Sequence, residues 1–161
     1  MDIPVTVCPA SVRDAAVITR ILNRSIQAGC AADHRNDARV IAAWSRNKSL
    51  EHVCTWLDDT NLYLHLGLLA GKPVGVALAR ATGQVYLCYV QPECFRRGVG
   101  QALMASLEQR LAQAGRLCAG LYSSPSARAF YRRLGYRETG PAVSVFGLCF
   151  WPMAKSLARV A

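Results

Sequence analysis

Arg96, Arg97, Gly98 and Gly100 stand together where an apolar run at residues 85–90 gives way to a helical pattern at residues 98–114. Glycine lets main-chain N–H groups approach an anion closely. The free amides and partial positive charge of a helix N-terminus make such a junction a ready pyrophosphate site. Two familiar phosphate motifs do not fit it. A dinucleotide fingerprint needs a third glycine where Leu103 stands, and a P-loop needs Gly-Lys-Ser/Thr, which does not occur here.

A second constellation lies one strand and one helix later: Ser124-Pro125-Ser126-Ala127-Arg128-Ala129-Phe130-Tyr131-Arg132-Arg133-Leu134-Gly135-Tyr136. As an ordered pair, the two segments resemble the acetyl-CoA signatures of the Gcn5-related N-acetyltransferase (GNAT) superfamily. These are Gln/Arg-x-x-Gly-x-Gly/Ala between a strand and a helix, then Asn-x-x-Ala-x-x-Phe-Tyr-x-x-x-Gly-Phe. Gly98 and Gly100 match, while Phe95 takes the Gln/Arg place, Ser124 the Asn place and Tyr136 the final Phe place. Trp151-Pro152-Met153-Ala154-Lys155 resembles the family's closing strand, so the resemblance runs from about Val5 to Lys155.

The resemblance implies an acetyl-CoA-dependent N-acyltransferase that moves an acetyl group to the amine of a small molecule by direct attack on the thioester. Alternatives are acetylation of a protein N-terminus or lysine, or a non-catalytic acyl-CoA-binding or nucleic-acid-binding module. By the same resemblance, Arg96, Arg97, Gly98, Val99, Gly100 and Gln101 grip the pyrophosphate, mainly through main-chain amides. The backbone at Cys88, Tyr89 and Val90 holds the pantetheine arm and polarises the carbonyl, and Ser124 touches the same arm. Tyr131 is the implied acid, since a phenol with a reference pKa of about 10 is still protonated near neutrality. Its bland alternative is packing beside Phe130.

No base is legible. His34, beside Asp33 in the segment where this family's acceptor site forms, is a candidate, set against a solvated or capping histidine. Tyr86 and Tyr122 are further candidates, and the amine arriving already neutral is another route. His52 and His65 lie within apolar patterns and read as packing residues, and no spacing suggests a metal site. Arg128, Arg132 and Arg133 form either a solvated basic face or a contact with the adenosine 3′-phosphate.

These groups need a scaffold. Residues 3–8 alternate as a strand, and Ser11-Val12-Arg13-Asp14 resembles a capping box opening a helix with Val17, Ile18, Ile21, Leu22 and Ile26 on one face. The polar stretch 33–58 holds one or two short helices. Residues 62–70, 74–81 and 84–90 form an antiparallel meander, 98–114 a helix, 117–122 a strand and 126–134 a helix stopped by Gly135. One or two more strands lie within 136–155. The order gives an α/β layering of a mixed sheet covered by helices. The resemblance specifies a mostly antiparallel central sheet, helices on both faces and a cleft splayed between the fourth and fifth strands.

With 161 residues, the chain is expected to form one acetyltransferase domain over 1–161. Hydrophobic residues make up 52% of it, yet no apolar run approaches the length of about 18 that a membrane span needs. The start, Met1-Asp2-Ile3-Pro4, carries no secretory signal, so a cytoplasmic location and no membrane partner are expected. Seven dispersed cysteines with no C-x-x-C pair read as reduced, mostly buried small hydrophobes. The net charge of +9 favours an anionic ligand: a polyphosphate cofactor, a nucleic acid or an acidic protein. Scattered Arg residues and the lack of an RNP-type strand, zinc finger or Lys-rich tail speak against nucleic acid; a homodimer stays open.

Overall fold

Caps and breakers divide the first third of the chain. The computed structural model describes residues 2–145 and 147–159. Strand β1 (Val5–Pro9) leads into a 3₁₀ turn at Val12–Asp14, where the Asp14 carboxylate accepts the Ser11 N–H at 2.8 Å and its hydroxyl at 3.2 Å. Helix α1 (Ala15–Arg24) follows and buries Ala15, Ile18, Ile21 and Leu22. It runs into a π-helical turn, Ser25–Gly29, that the apolar periodicity does not announce. A short helix, α2 (Ala31–His34), precedes the polar stretch, which then holds the two helices expected of it, α3 (Ala38–Ser45) and α4 (Leu50–Asp58). Asp37 and Ser49 divide them by accepting the N–H groups of Arg39 and His52.

The meander is β2 (Leu62–Leu69), β3 (Lys72–Arg80) and β4 (Val85–Val90). After it come α5 (Val99–Gln113), β5 (Cys118–Ser123), a 3₁₀ turn at Pro125–Ala127 running into α6 (Arg128–Arg133), then β6 (Arg137–Glu138), β7 (Val143–Val145) and β8 (Leu148–Ser156). The strands form two antiparallel groups, β1-β2-β3-β4 and β5-β8-β6, with β7 paired to β8. A parallel bridge between Gln84 and Gly120 joins them, with the Gly120 N–H donating to Gly83 O at 2.9 Å. Past that bridge β4 and β5 separate, and the divergence is the expected cleft.

Helices cover both faces, as expected. On one, Ile18, Ile21, Leu22 and Val53 pack against Leu64, Leu66, Val76 and Leu78. On the other, Leu103, Met104, Leu107 and Leu111 of α5 pack with Ala77, Ala79, Ala119, Leu121 and Tyr131. Each fully buried aliphatic side chain contributes about 1.5–3 kcal/mol before entropy is charged against it.

Two facing glycines set the height of α5. Gly67 and Gly75 are register partners, and a Cβ on Gly67 would lie 2.8 Å from Val99 Cγ1, one on Gly75 3.0 Å from the same atom. The first turn of α5 therefore rests directly on the sheet, beside the end of β4.

Two sequence expectations are corrected. None of the seven cysteines is fully buried: Cys8, Cys118 and Cys149 are exposed and the rest half-buried, all as free thiols. His52 is exposed and hydrogen-bonded to the Ser49 hydroxyl at 2.7 Å, so it belongs to a helix start and not to a packed face. His65, by contrast, is buried and bonded to Ser106 Oγ at 2.8 Å. Among the described residues no helix is long and apolar enough to cross a membrane.

Candidate active site

The loop before α5 has the backbone that an anion site requires. Arg96 sits at φ +61° and Gly98, the N-cap, at φ +84°. No atom lies within 4 Å of a Cβ built on Gly98, so its demand for glycine is conformational, not steric. Gly100 is the reverse case: a Cβ there would lie 3.1 Å from the Phe130 ring. The first helical bond in this region runs from the Ala102 N–H to Gly98 O at 3.0 Å, leaving the N–H groups of Val99, Gly100 and Gln101 ahead of it as helix-start donors. Arg24 pins the loop by donating to Gln91 Oε1 at 2.7 Å and pairing with Glu93. Phe95, in the place where the resemblance expects a polar residue, reaches 3.3 Å from a Cβ built on Gly29 and so props the loop against the π turn.

Strand β4 presents its free edge to the cleft. Gln91 donates its N–H to Val74 O at 2.9 Å, toward β3. Main-chain direction alternates along a strand, so Tyr89 also faces β3 while the backbone groups of Cys88 and Val90 face the opening toward β5. Their side chains turn to the α5 face, and Cys88 Sγ lies 3.9 Å from Gly100 O. Burial pushes the Cys88 thiol up to about 12, so it is neutral at physiological pH. Tyr89 points to the opposite face, where its hydroxyl accepts Trp44 Nε1–H at 2.7 Å.

Across the cleft, Tyr131 is held edge-on between Phe130 and Tyr136, at ring-centroid distances of 5.1 and 5.8 Å. Burial raises its hydroxyl well above the ordinary phenol range, and the neighbouring Cys88 and Tyr89 push the same way. The phenol is therefore fully protonated at neutral pH. Ser124 starts the turn into α6 with a hydroxyl that makes no capping bond. Asp33 performs that task from α2, accepting Ser126 N–H at 3.0 Å and Ser126 Oγ–H at 2.5 Å.

A cavity of about 1510 Å³ connects these parts. Cys88, Tyr89, Val90, Arg96, Gly98, Val99, Gly100, Gln101, Ser124 and Tyr131 all line it, as do Tyr86 and Tyr122. Arg97 is exposed and lies outside the lining. His34 also lies outside, and the structure removes it from the role of base. It is 2% exposed, its Nε2 is 2.7 Å from Ile26 O and its Nδ1 accepts the Asn36 N–H at 3.0 Å. The ring is committed at both nitrogens to the turns around it.

The three arginines of α6 separate. Arg128 and Arg132 both pair with Glu138, and Arg128 stacks on Trp151 at 3.9 Å, so neither is a free basic face. Arg133 lines the cavity.

Sequence reasoning missed one part of the cavity wall. Trp44, Lys48, Ser25 and Cys30 line it, drawn from α3, the loop after it and the π turn. Lys48 Nζ donates to Trp44 O at 2.6 Å and Asn47 Oδ1 at 2.9 Å. Burial lowers its pKa to about 8, against a smaller opposing effect of Cys30. Among the described residues no cluster of three or more His, Cys, Asp or Glu side chains is placed to hold a metal ion.

Comparison with known proteins adds three findings. A family model described as Acetyltransferase (GNAT) domain matches residues 30–157. Serotonin N-acetyltransferase 2, chloroplastic, of Oryza sativa subsp. japonica is 33% identical over 111 residues, covering 65% of this chain and 51% of the relative. The chain thus spans about half the length of that curated relative. Among solved structures, a GCN5-related N-acetyltransferase from Rhodopseudomonas palustris superposes with a TM-score of 0.84 at 28% identity, covering 98% of this chain and 99% of that one. YncA of Salmonella typhimurium, solved with its cofactor acetyl-CoA, shares the fold at a TM-score of 0.73 and 20% identity, covering 98% and 96%.

Proposed function

This chain belongs to the GNAT acetyltransferase family, and from that premise we propose that it transfers an acetyl group from acetyl-CoA to the amine of a small molecule by direct attack on the thioester. The observation that carries the reading is the alignment of three features along one cavity: helix-start amides at Val99–Gln101, the free β4 edge at Cys88 and Val90, and the Tyr131 hydroxyl. A small acceptor is supported by the curated relative, named for serotonin.

The residues present suit the cofactor. Oriented N–H groups with Arg96 and Arg133 nearby match a diphosphate, and the unpaired β4 edge matches the amide groups of a pantetheine arm. When bound, acetyl-CoA supplies the activated acyl group. The Cys88 and Val90 backbone offers the N–H that stabilises a developing oxyanion. Tyr131 Oη holds the proton that a leaving thiolate requires; it makes no hydrogen bond to other described residues, and the cavity reaches it. No base is assigned: the amine attacks in its neutral form, the proton it sheds as the amide forms passes to solvent, and the Tyr131 Oη–H proton goes to the departing thiolate.

The test is a spectrophotometric assay of free thiol release from acetyl-CoA with a panel of primary amines. Amine-dependent release with formation of the N-acetyl product is expected. Hydrolysis without amine dependence, or no release with any amine, contradicts the reading.

A further inference from the structure

The acceptor wall holds a cation that lacks a counter-ion. Lys48 is 8% exposed, and among the described residues no carboxylate lies within ion-pair distance of it. Its main-chain carbonyl accepts Asn23 Nδ2–H at 3.0 Å, which fastens the loop to the last turns of α1. Two of its N–H groups go to Trp44 O and Asn47 Oδ1. That much is the work of a lysine capping a helix C-terminus. The third N–H has no protein acceptor among the described residues, although an ammonium carries three donors and a buried charge normally finds an anion.

Ser25 supplies the second, independent observation. It is 1% exposed and its Oγ has no hydrogen-bond partner among the described residues. Buried hydroxyls are nearly always bonded, so an orphan on a cavity wall marks a place for a ligand atom. Ser25 opens the π turn, a distortion that recurs at functional sites, and it lines the same cavity as Lys48 and Cys30.

We propose that Lys48 and Ser25 receive an anionic group on the acceptor, so that the substrate is an amine bearing a carboxylate or a phosphate at the end remote from the reacting nitrogen. This rests on the transferase reading and narrows it to a substrate class. The ammonium supplies a charge-assisted hydrogen bond and the serine hydroxyl a second donor, together orienting the amine toward the cleft between β4 and β5. At a pKa of about 8 the ammonium form predominates at neutral pH, as anion binding requires.

The experiment compares kcat/KM for linear amino acids with a terminal amine, aminoalkyl phosphates and amino amides of equal chain length. One anionic series is expected to exceed the amides by roughly tenfold or more, the range of one charge-assisted bond. Which anionic series leads identifies the group. Lys48→Met is expected to bring that ratio near one by raising KM for the anionic amines, and Ser25→Ala to lower it part of the way. Circular dichroism and retained coenzyme A affinity establish that each variant is folded; if Lys48→Met does not fold, Lys48→Gln and Ser25→Ala carry the comparison. Equal kcat/KM for anionic and neutral amines in the wild type overturns the proposal alone. So does a Lys48 variant that lowers kcat equally for all amines, or one whose effect falls on KM for acetyl-CoA. Wild-type protein that acetylates neither class fails the transferase reading and this proposal with it.

Discussion

Trp44 Nε1–H donates to Tyr89 Oη at 2.7 Å, tying helix α3 to the face of β4 opposite α5. The bond couples this part of the cavity wall to the strand whose other backbone groups face the opening toward β5. Burial keeps the Tyr89 phenol protonated, so it accepts from the indole while retaining its own proton.

Removing that donor leaves a buried hydroxyl short of one partner. Trp44→Phe is expected to lower stability by about 1–3 kcal/mol, and to raise KM for the amine more than KM for acetyl-CoA. Thermal melts and steady-state kinetics check both; equal changes in the two KM values would place Trp44 in the fold alone.

Gly98 and Gly100 are expected to fail for different reasons. Gly98→Ala forces a Cβ into the left-handed region at a cost of about 1–2 kcal/mol, while Gly98→Glu also brings a carboxylate to the anion site and should abolish acetyl-CoA binding. Gly100→Val presses on the Phe130 ring and should displace α5 or α6. Titration calorimetry reads all three, and undiminished binding by Gly98→Glu would contradict the loop assignment.

Tyr131→Phe keeps the ring packing with Phe130 and Tyr136 and removes only the hydroxyl. Turnover should fall by about 10²–10⁴, the usual contribution of a general acid, with coenzyme A affinity preserved. An unchanged kcat would return Tyr131 to a packing role.

Cys88 sets a pH dependence with a definite sign. Its folded pKa, near 12, lies above the ordinary thiol value of 9.0, so the folded state keeps a proton that the unfolded chain loses. That contribution is complete below pH 9 and is lost as pH rises from 9 toward 12, at up to about 1.4 kcal/mol per pH unit. Cys30 adds a slope of the same sign, and Lys48, lowered to about 8, one of the opposite sign. Urea unfolding of Cys88→Ala against wild type isolates the first: the difference in stability should shrink with rising pH across that window.

The candidate cofactor half of the site was proposed from the sequence because its signals are local. Two glycines and two arginines at a strand–helix junction, and a serine–proline helix start followed by Phe-Tyr, can each be read within a dozen residues. The acceptor half is assembled from long-range contacts. Lys48 comes near Cys30 only through the packing of α3 against the π turn, and nothing adjacent to a lone lysine foretells burial. His34 was misread because an imidazole beside an acid resembles a base until both ring nitrogens find backbone partners. Arg128 and Arg132 looked like a free basic face until β6 brought Glu138 to them. The fold itself followed from periodicity, save for the π turn at Ser25–Gly29 and the short helix α2 that follows it.

The most direct test of the diphosphate site is titration calorimetry of the wild-type protein with coenzyme A and with pantetheine, which shares the thiol arm but lacks the pyrophosphate and nucleotide. Saturable heat with coenzyme A and binding weakened at least a hundredfold for pantetheine is the expected outcome. No heat with coenzyme A, or equal affinity for the two, would contradict a site built on the amides of Val99, Gly100 and Gln101.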